Sequence, residues 1–443
     1  MTDRVSALVS RYFAAPGGEL HVGGMPIGVL AERHGTPLYV YDAQVLEQKW
    51  RLLRTALPAE FTIAYSVKAN PNPALLEYFL AKGCDLEIAS AGELHGALRA
   101  GCSPSRILFA GPGKTDSELE LVLKEGIGEI HAESLGEIRR IIDIADRLTT
   151  RAPVAVRVNP GATAQGGAMR MGGKPAPFGI DEEAIDPVLD TLLAAPAIDF
   201  RGVHLFAGTQ ILDHGVLIAQ YRKGIEIAER IARRTGRPLA TVDFGGGFGV
   251  PYFEGENDLD MERLREGAFE LMAGVRERPS FAGTRFVVEP GRYLVGEAGL
   301  YVTRVTDVKV SRGKRFLILD GGMNHHLAAS GNLGQVIKRN FPIGVLNRLD
   351  DPRTEPVDVV GPLCTPLDTL ARDVRLPTAQ VGDLVGVFQS GAYGRTASPM
   401  SFLSHATPPE VLVAGGIDRL IRRRGLHEDL FRDIPGHSPE TGS

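Results

Sequence analysis

The run Ile63-Ala64-Tyr65-Ser66-Val67-Lys68 places a lysine where an apolar strand stops. An ammonium there must reach water, pair with an acid, or give up its proton for chemistry. Further along, polar residues stand at comparable positions, each closing a short apolar run. They are Glu87 and Ser90, Arg157 and Asn159, His204 and Thr209, the glycines Gly245, Gly246 and Gly247, and Glu289 with Gly291 and Arg292. An amine, carboxylates, a guanidinium, a hydroxyl and a glycine run together suit an anionic, phosphorylated aldehyde.

Each demand of such a ligand has a candidate. A Schiff base needs an amine whose neutral form is accessible, and desolvation at a strand end moves Lys68 in that direction. A phosphate dianion needs converging backbone N–H groups. The stretch Phe244-Gly245-Gly246-Gly247-Phe248-Gly249 lets the main chain approach closely and is expected to open a helix whose positive end faces the anion. Glu289 can keep a pyridine nitrogen protonated, which makes the ring an electron sink for a carbanion at Cα. The cofactor expected is pyridoxal 5′-phosphate.

The elements that must position these residues are short β-branched runs alternating with helical patterns. The runs are TIAYSVKA, DLEIAS, ILFAGP, EIHAES, VAVRVNP, RGVHLFAGT, TVDFGGG and RFVVEPGR. Eight such units between about Asp42 and about Arg292 predict a (β/α)8 barrel, in which chemistry sits at the carboxyl ends of the strands. A doubly wound sheet would carry its glycine-rich turn at the start, whereas here it lies in the seventh unit. Beyond Arg292 the chain turns β-rich, which predicts an antiparallel β domain that the early TPLYVYD joins. The expected organisation is residues 1–42 joining the β domain, 43–292 forming the barrel and 293–443 forming the β domain.

With 443 residues, 43% of them hydrophobic and 23% charged, the chain has the composition of a soluble globular protein. No apolar run approaches the ~18 residues of a membrane span. The first residues lack the basic-then-apolar layout of a secretory signal, so a cytoplasmic enzyme is expected. A net charge of −5 argues against a nucleic-acid surface. Three cysteines, Cys84, Cys102 and Cys364, are too scattered for a disulfide framework or a zinc knuckle; the first two read as plain buried thiols. His325 and His326 are adjacent and point to opposite sides of an extended chain, so no metal site is expected. Glu133 and Asn159 read as packing around the site.

Taken together, YSVKANP, LEIASAGEL, DFGGGFG, EPGR, GPLC and SGAYG resemble, in order, the fold-type III pyridoxal-phosphate decarboxylases of the diaminopimelate and ornithine decarboxylase superfamily, which share the alanine racemase-like barrel and β domain. The likeness covers nearly all of the chain. It implies that Lys68 holds the cofactor and that Glu87 lies near the lysine and the cofactor phenol. It puts Thr209, Gly246, Gly247 and Tyr393 on the phosphate, Glu289 on the pyridine nitrogen, and Arg292 beside the phosphate or the substrate carboxylate. Gly245, Gly291, Arg157 and His204 complete the cofactor set. The resemblance further implies a head-to-tail homodimer with shared active sites, each receiving Cys364 from the partner chain to protonate Cα.

Three departures bear on substrate. Phe206 stands where the family has a ring-stacking histidine, Thr365 stands where an acid reads a distal amine, and DGGMNHHLAASGN lacks the Arg-Pro and Tyr elements that hold a distal carboxylate. The substrate set expected from the resemblance is Arg292, Cys364, Thr365 and Tyr393. Stretches such as MRMGGKP, GGGFGVPYF and SGAYGRTASPMSFLSH are also similar to decarboxylases of exosortase A gene clusters and to a butirosin-pathway enzyme acting on glutamate thioesterified to an acyl carrier protein. The function expected is decarboxylation of an amino acid tethered to a carrier protein, with the basic hairpin Lys309, Arg312, Lys314 and Arg315 receiving that partner. Diaminopimelate decarboxylation is the alternative. Behind these stand a racemase, which Glu289 opposes, and a non-catalytic cofactor-binding protein.

Overall fold

The computed structural model describes residues 3–161, 169–170, 175–206 and 208–435. Most of the MRMGGKP motif, and Ala207, lie outside them. The chain divides into two compact units, one of residues 50–250 and 257–293, the other of residues 1–49, 251–256 and 294–443.

In the first unit eight strands run parallel: β1 (Phe61–Ser66), β2 (Asp85–Ile88), β3 (Ile107–Phe109), β4 (Glu129–Ala132), β5 (Ala152–Asn159), β6 (Ile198–Leu205), β7 (Thr241–Asp243) and β8 (Arg285–Val288). Each pairs with the next, and β8 pairs back onto β1, closing the barrel. These are the eight runs anticipated from the sequence. Helices Pro73–Ala81, Ala91–Arg99, Asp116–Glu125 and Leu135–Leu148 follow the first four strands. Their starts are set by side-chain caps: Asn72, Ser90, Thr115 and Ser134 each accept a backbone N–H of the first turn. Ser90, read from the sequence as closing a strand at the site, is therefore a helix cap. Leu135–Leu148 buries Ile138, Ile141, Ile144 and Ala145 at three- and four-residue spacing, which holds it against the barrel wall. Ala64, Leu108 and Val287 pack together inside the barrel.

The second unit is built around the long strand Gly299–Ser311, which pairs antiparallel with Leu38–Asp42, Lys314–Leu319 and Leu384–Val387. TPLYVYD thus enters this sheet. The expectation of a purely antiparallel sheet does not hold. Lys314–Leu319 runs parallel to Thr354–Val360, and Leu38–Asp42 runs parallel to Glu410–Ala414. Long connections separate both pairs in sequence, and length is what a parallel crossover needs. Val5, Leu8 and Val9 of helix Asp3–Tyr12 pack with Val40, Leu300, Val302 and Val411 in its core. Among the described residues no helix is long and apolar enough to cross a membrane.

Candidate active site

Strand register gathers the site. Arg157 on β5 lies opposite His204 on β6, and His204 lies opposite Asp243 on β7. Asp243 in turn faces Val287 on β8, two residues before Glu289. Residues tens of positions apart in sequence become neighbours because parallel strands of a closed barrel end on one face.

Lys68 sits just past β1 in the short turn Val67–Ala69. Its Nζ is 3.1 Å from both Glu87 oxygens, and Ser66 Oγ donates to Glu87 Oε2. Glu87 is buried, whereas the Lys68 side chain is 44% exposed. The desolvation expected of Lys68 is therefore not a property of the protein alone and has to come from whatever covers the amine. Arg157 is 6% exposed and donates to Glu133 Oε1 at 2.8 Å; its guanidinium lies 5.7 Å from the Phe206 ring centre. Glu133 Oε2 also accepts from Gly179 N, so both of its oxygens are engaged by neighbouring groups. Asn159 donates to Asp181.

The glycine run opens no helix; residues 244–250 are irregular and the next helix begins at Met261. The reason is local: Gly245 and Gly247 have φ of +70° and +105°, outside the helical region. A Cβ on Gly246 would meet the Glu289 carbonyl oxygen at 2.5 Å, and one on Gly245 would meet that of Leu205 at 2.4 Å. The cradle is thus made by close backbone approach, without a helix dipole.

Sequence reading named Glu289 and His204 but missed Glu129, His131 and Asp243 packed around them. Glu129, His131, His204, Asp243 and Glu289 are each at most 4% exposed. His131 Nε2 is 3.0 Å from Glu129 Oε1, and its ring stacks on His204 with centres 4.2 Å apart. His204 Nε2 is 3.4 Å from Glu289 Oε2. Burial, then the His131 and Arg157 charges, push the His204 imidazole well below its ordinary value, leaving it neutral. Burial would raise Glu129, but the hydrogen bond and charge of His131 outweigh it and hold that carboxyl below its usual range. The signal was present in EIHAES, where Glu129 and His131 alternate on one face of a barrel strand.

Cys364, Thr365 and Tyr393 belong to the second unit. Cys364 is exposed in a turn, and Tyr393 adopts a left-handed φ of 53°. Cys84 and Cys102 are buried, and burial pushes their thiols up to about 12 and about 11. His326 is buried with Nε2 2.9 Å from Ser390 Oγ, and desolvation lowers both His325 and His326 to about 3. In the basic hairpin, Lys314 pairs with Asp358 at 2.8 Å and Arg315 with Glu355 at 3.1 Å. Two of its four cations are therefore balanced within their own sheet, contrary to the picture of a uniformly basic receiver, while Lys309 and Arg312 are exposed.

A phosphorylated pyridine aldehyde fits this arrangement: an amine beside a carboxylate, a cradle that side chains would fill, and Glu289 Oε1 buried with no hydrogen-bond partner among the described residues. Comparison with known proteins agrees. Residues 43–296 match the pyridoxal binding domain of the pyridoxal-dependent decarboxylases. An L-glutamyl-(BtrI acyl-carrier protein) decarboxylase of Niallia circulans is 40% identical over 407 residues, covering 91% of this chain and 95% of the relative. A diaminopimelate decarboxylase of Zymomonas mobilis is 33% identical, covering 95% and 98%. The crystal structure of diaminopimelate decarboxylase from M. jannaschii in complex with L-lysine superposes with a TM-score of 0.88 at 26% identity, covering 96% and 98%. The chain belongs to the fold-type III pyridoxal-dependent decarboxylases, and it is a carboxy-lyase that uses pyridoxal phosphate to decarboxylate an amino acid.

Proposed function

We propose that the substrate is an α-amino acid held as a thioester on an acyl carrier protein, a glutamyl group being the first to test. The observation that carries this reading is the chemistry of the segment from Met323 to Asn332. A free diacid needs a cation for its distal carboxylate, yet this segment offers only His325 and His326, both buried and lowered to about 3, hence neutral near pH 7. Thr365 likewise brings no charge for a distal amine. A thioester presents neither charge, and the 40% identity to a carrier-protein decarboxylase points the same way.

Bound pyridoxal phosphate supplies the sink for the electron pair left at Cα when carbon dioxide departs. Lys68 would hold the cofactor at its aldehyde end through Nζ, and Glu87 would orient that amine. Thr209, the N–H groups of Gly246 and Gly247, and Tyr393 bind the phosphate, with Gly245, whose own N–H is taken by Asp243, and Gly291 and Arg292 beside it. Glu289 holds the proton on the pyridine nitrogen. Phe206 covers the ring where it cannot titrate, with Arg157 against its face, and His204 packs beside Glu289. Arg292 and Tyr393 orient the substrate carboxylate, Thr365 lines the path to the side chain, and Cys364 of a second copy delivers a proton to Cα. The assembly is a homodimer with two shared sites.

Carbon dioxide release measured with free glutamate, free diaminopimelate and a glutamyl thioester on a carrier protein tests the reading. The thioester should exceed both free acids in kcat/KM. Rapid turnover of free diaminopimelate, with no gain from tethering, would replace this reading by diaminopimelate decarboxylation.

A further inference from the structure

Behind Glu289 the barrel holds more buried negative charge than buried cations can balance. Glu129, Asp243 and Glu289 are 1%, 0% and 4% exposed. His131 is the imidazole committed to Glu129, at 3.0 Å; it stands 3.9 Å from Asp243 Oδ2 and 3.9 Å from Glu289 Oε1. His204 carries no charge, and Arg157 is paired with Glu133. His131, His204, Asp243 and Glu289 nevertheless bring polar atoms within 4.8 Å of one another. Two ionised carboxyls at that separation, away from water, cannot both persist without a shared proton.

We propose that Asp243 is a positioning residue that stays un-ionised and donates its Oδ2 proton to Glu289, so that the carboxylate assigned above to the pyridine nitrogen keeps a single, fixed negative charge. This function rests on that assignment of Glu289. The geometry selects Asp243 as the holder. Its Oδ1 accepts from Gly245 N at 2.8 Å, which leaves Oδ2 as the atom no donor reaches among the described residues and the one free to bond the Glu289 side chain. Burial, followed by the charges of Glu289 and Glu129, drives Asp243 well above the usual carboxylate range. From the other packed elements it is faced by the buried phenol of Tyr221, itself raised by burial and by Asp243, while Arg285 acts on Glu129. Gly245 O also accepts from Glu289 N at 2.9 Å. Asp243 therefore ties the glycine cradle to the end of β8 by both of its oxygens, so that phosphate and ring nitrogen are held by one connected group.

Infrared difference spectroscopy of the cofactor-free protein at neutral pH tests the proton directly. In the difference between the parent and Asp243→Asn, the carbonyl stretch of an un-ionised carboxylic acid, shifting in deuterium oxide, should be present as a band that the asparagine variant lacks, while Glu93, raised by burial to about 7, contributes equally to both. Asparagine keeps both an acceptor for Gly245 N and a donor toward Glu289, so its affinity for pyridoxal phosphate, by titration of the cofactor-free protein, should stay within about threefold of the parent; Asp243→Ala should lose about 30-fold or more. Absence of the acid band, its survival in Asp243→Asn, or equal loss in the asparagine and alanine variants would overturn the proposal. So would a stoichiometric divalent metal retained by the purified protein and lost in Asp243→Asn. Failure of the Glu289 assignment reads differently: Glu289→Gln would leave the absorbance of bound pyridoxal phosphate unshifted while the acid band persists, which would overturn the functional half alone.

Discussion

Glu289 stands at the end of β8 among His131, His204 and Asp243, all nearly closed to water, whereas Cys364 is exposed in a turn of the sheet unit. The first residue is enclosed by partners from its own chain. The second has no such enclosure. On the proposed reading the contrast is between two ways of building one reaction, a preorganised interior that fixes electrostatics and a surface group completed by assembly.

The largest test removes the amine at the interior. Lys68→Ala should lower kcat/KM by at least about 10⁴-fold, because it removes the amine proposed to bond the aldehyde. Borohydride should fix the cofactor to the peptide carrying Lys68 in the parent protein; labelling of a different lysine would remove the assignment. Glu289→Gln is expected to lower kcat by about 10²- to 10³-fold while pyridoxal phosphate stays bound, since the glycine cradle is untouched. Near-normal turnover would show that the buried charge is structural.

The sheet unit has a buried pair of its own, and it answers to pH. His325 and His326 are lowered to about 3 in the folded chain, against an ordinary value of 6.5. Between those values the unfolded chain binds protons that the native chain does not. Stability is therefore full above about pH 6.5 and falls as the pH drops toward 3, by about 3 kcal/mol per histidine at pH 4.5, or about 100-fold in the folding equilibrium. Denaturation midpoints for His326→Gln should show a flatter acid limb than the parent; an unchanged limb would mean that His326 carries no such penalty.

Completion by assembly is tested by mixing Lys68→Ala chains with Cys364→Ala chains. Random exchange makes half the dimers mixed, each with one intact site of two, so about a quarter of parental activity should return. No recovery after demonstrated exchange would place the thiol outside a shared site. The smallest effect belongs to the hairpin. Lys309→Ala with Arg312→Ala should raise KM for a carrier-bound substrate about two- to threefold and leave free amino acids unchanged, while Lys314→Ala, whose partner is Asp358, should move neither. Equal effects from all three positions would restore the uniformly basic surface.

Periodicity made the barrel legible, because each strand and each helix announces itself over a few consecutive residues and eight repeats leave little choice of topology. The glycine cradle and Lys68 were legible for a related reason, since each is a local residue type at a strand end. The lack of a helix after Gly247 was not, because helical propensity gives no warning of a left-handed φ at Gly245 and Gly247. The parallel pairings of the sheet unit were hidden as well, their partners being fixed by long connections.

The sequence by itself determined which residues end the strands and what cofactor they suit, since those facts depend on short-range order along the chain. Tertiary structure alone decided that Glu129, His131 and Asp243 share one enclosed space with Glu289, and that Lys314 and Arg315 spend their charge on Asp358 and Glu355. Those outcomes depend on distance and on the exclusion of water, and neither quantity exists until the barrel closes and the sheet forms.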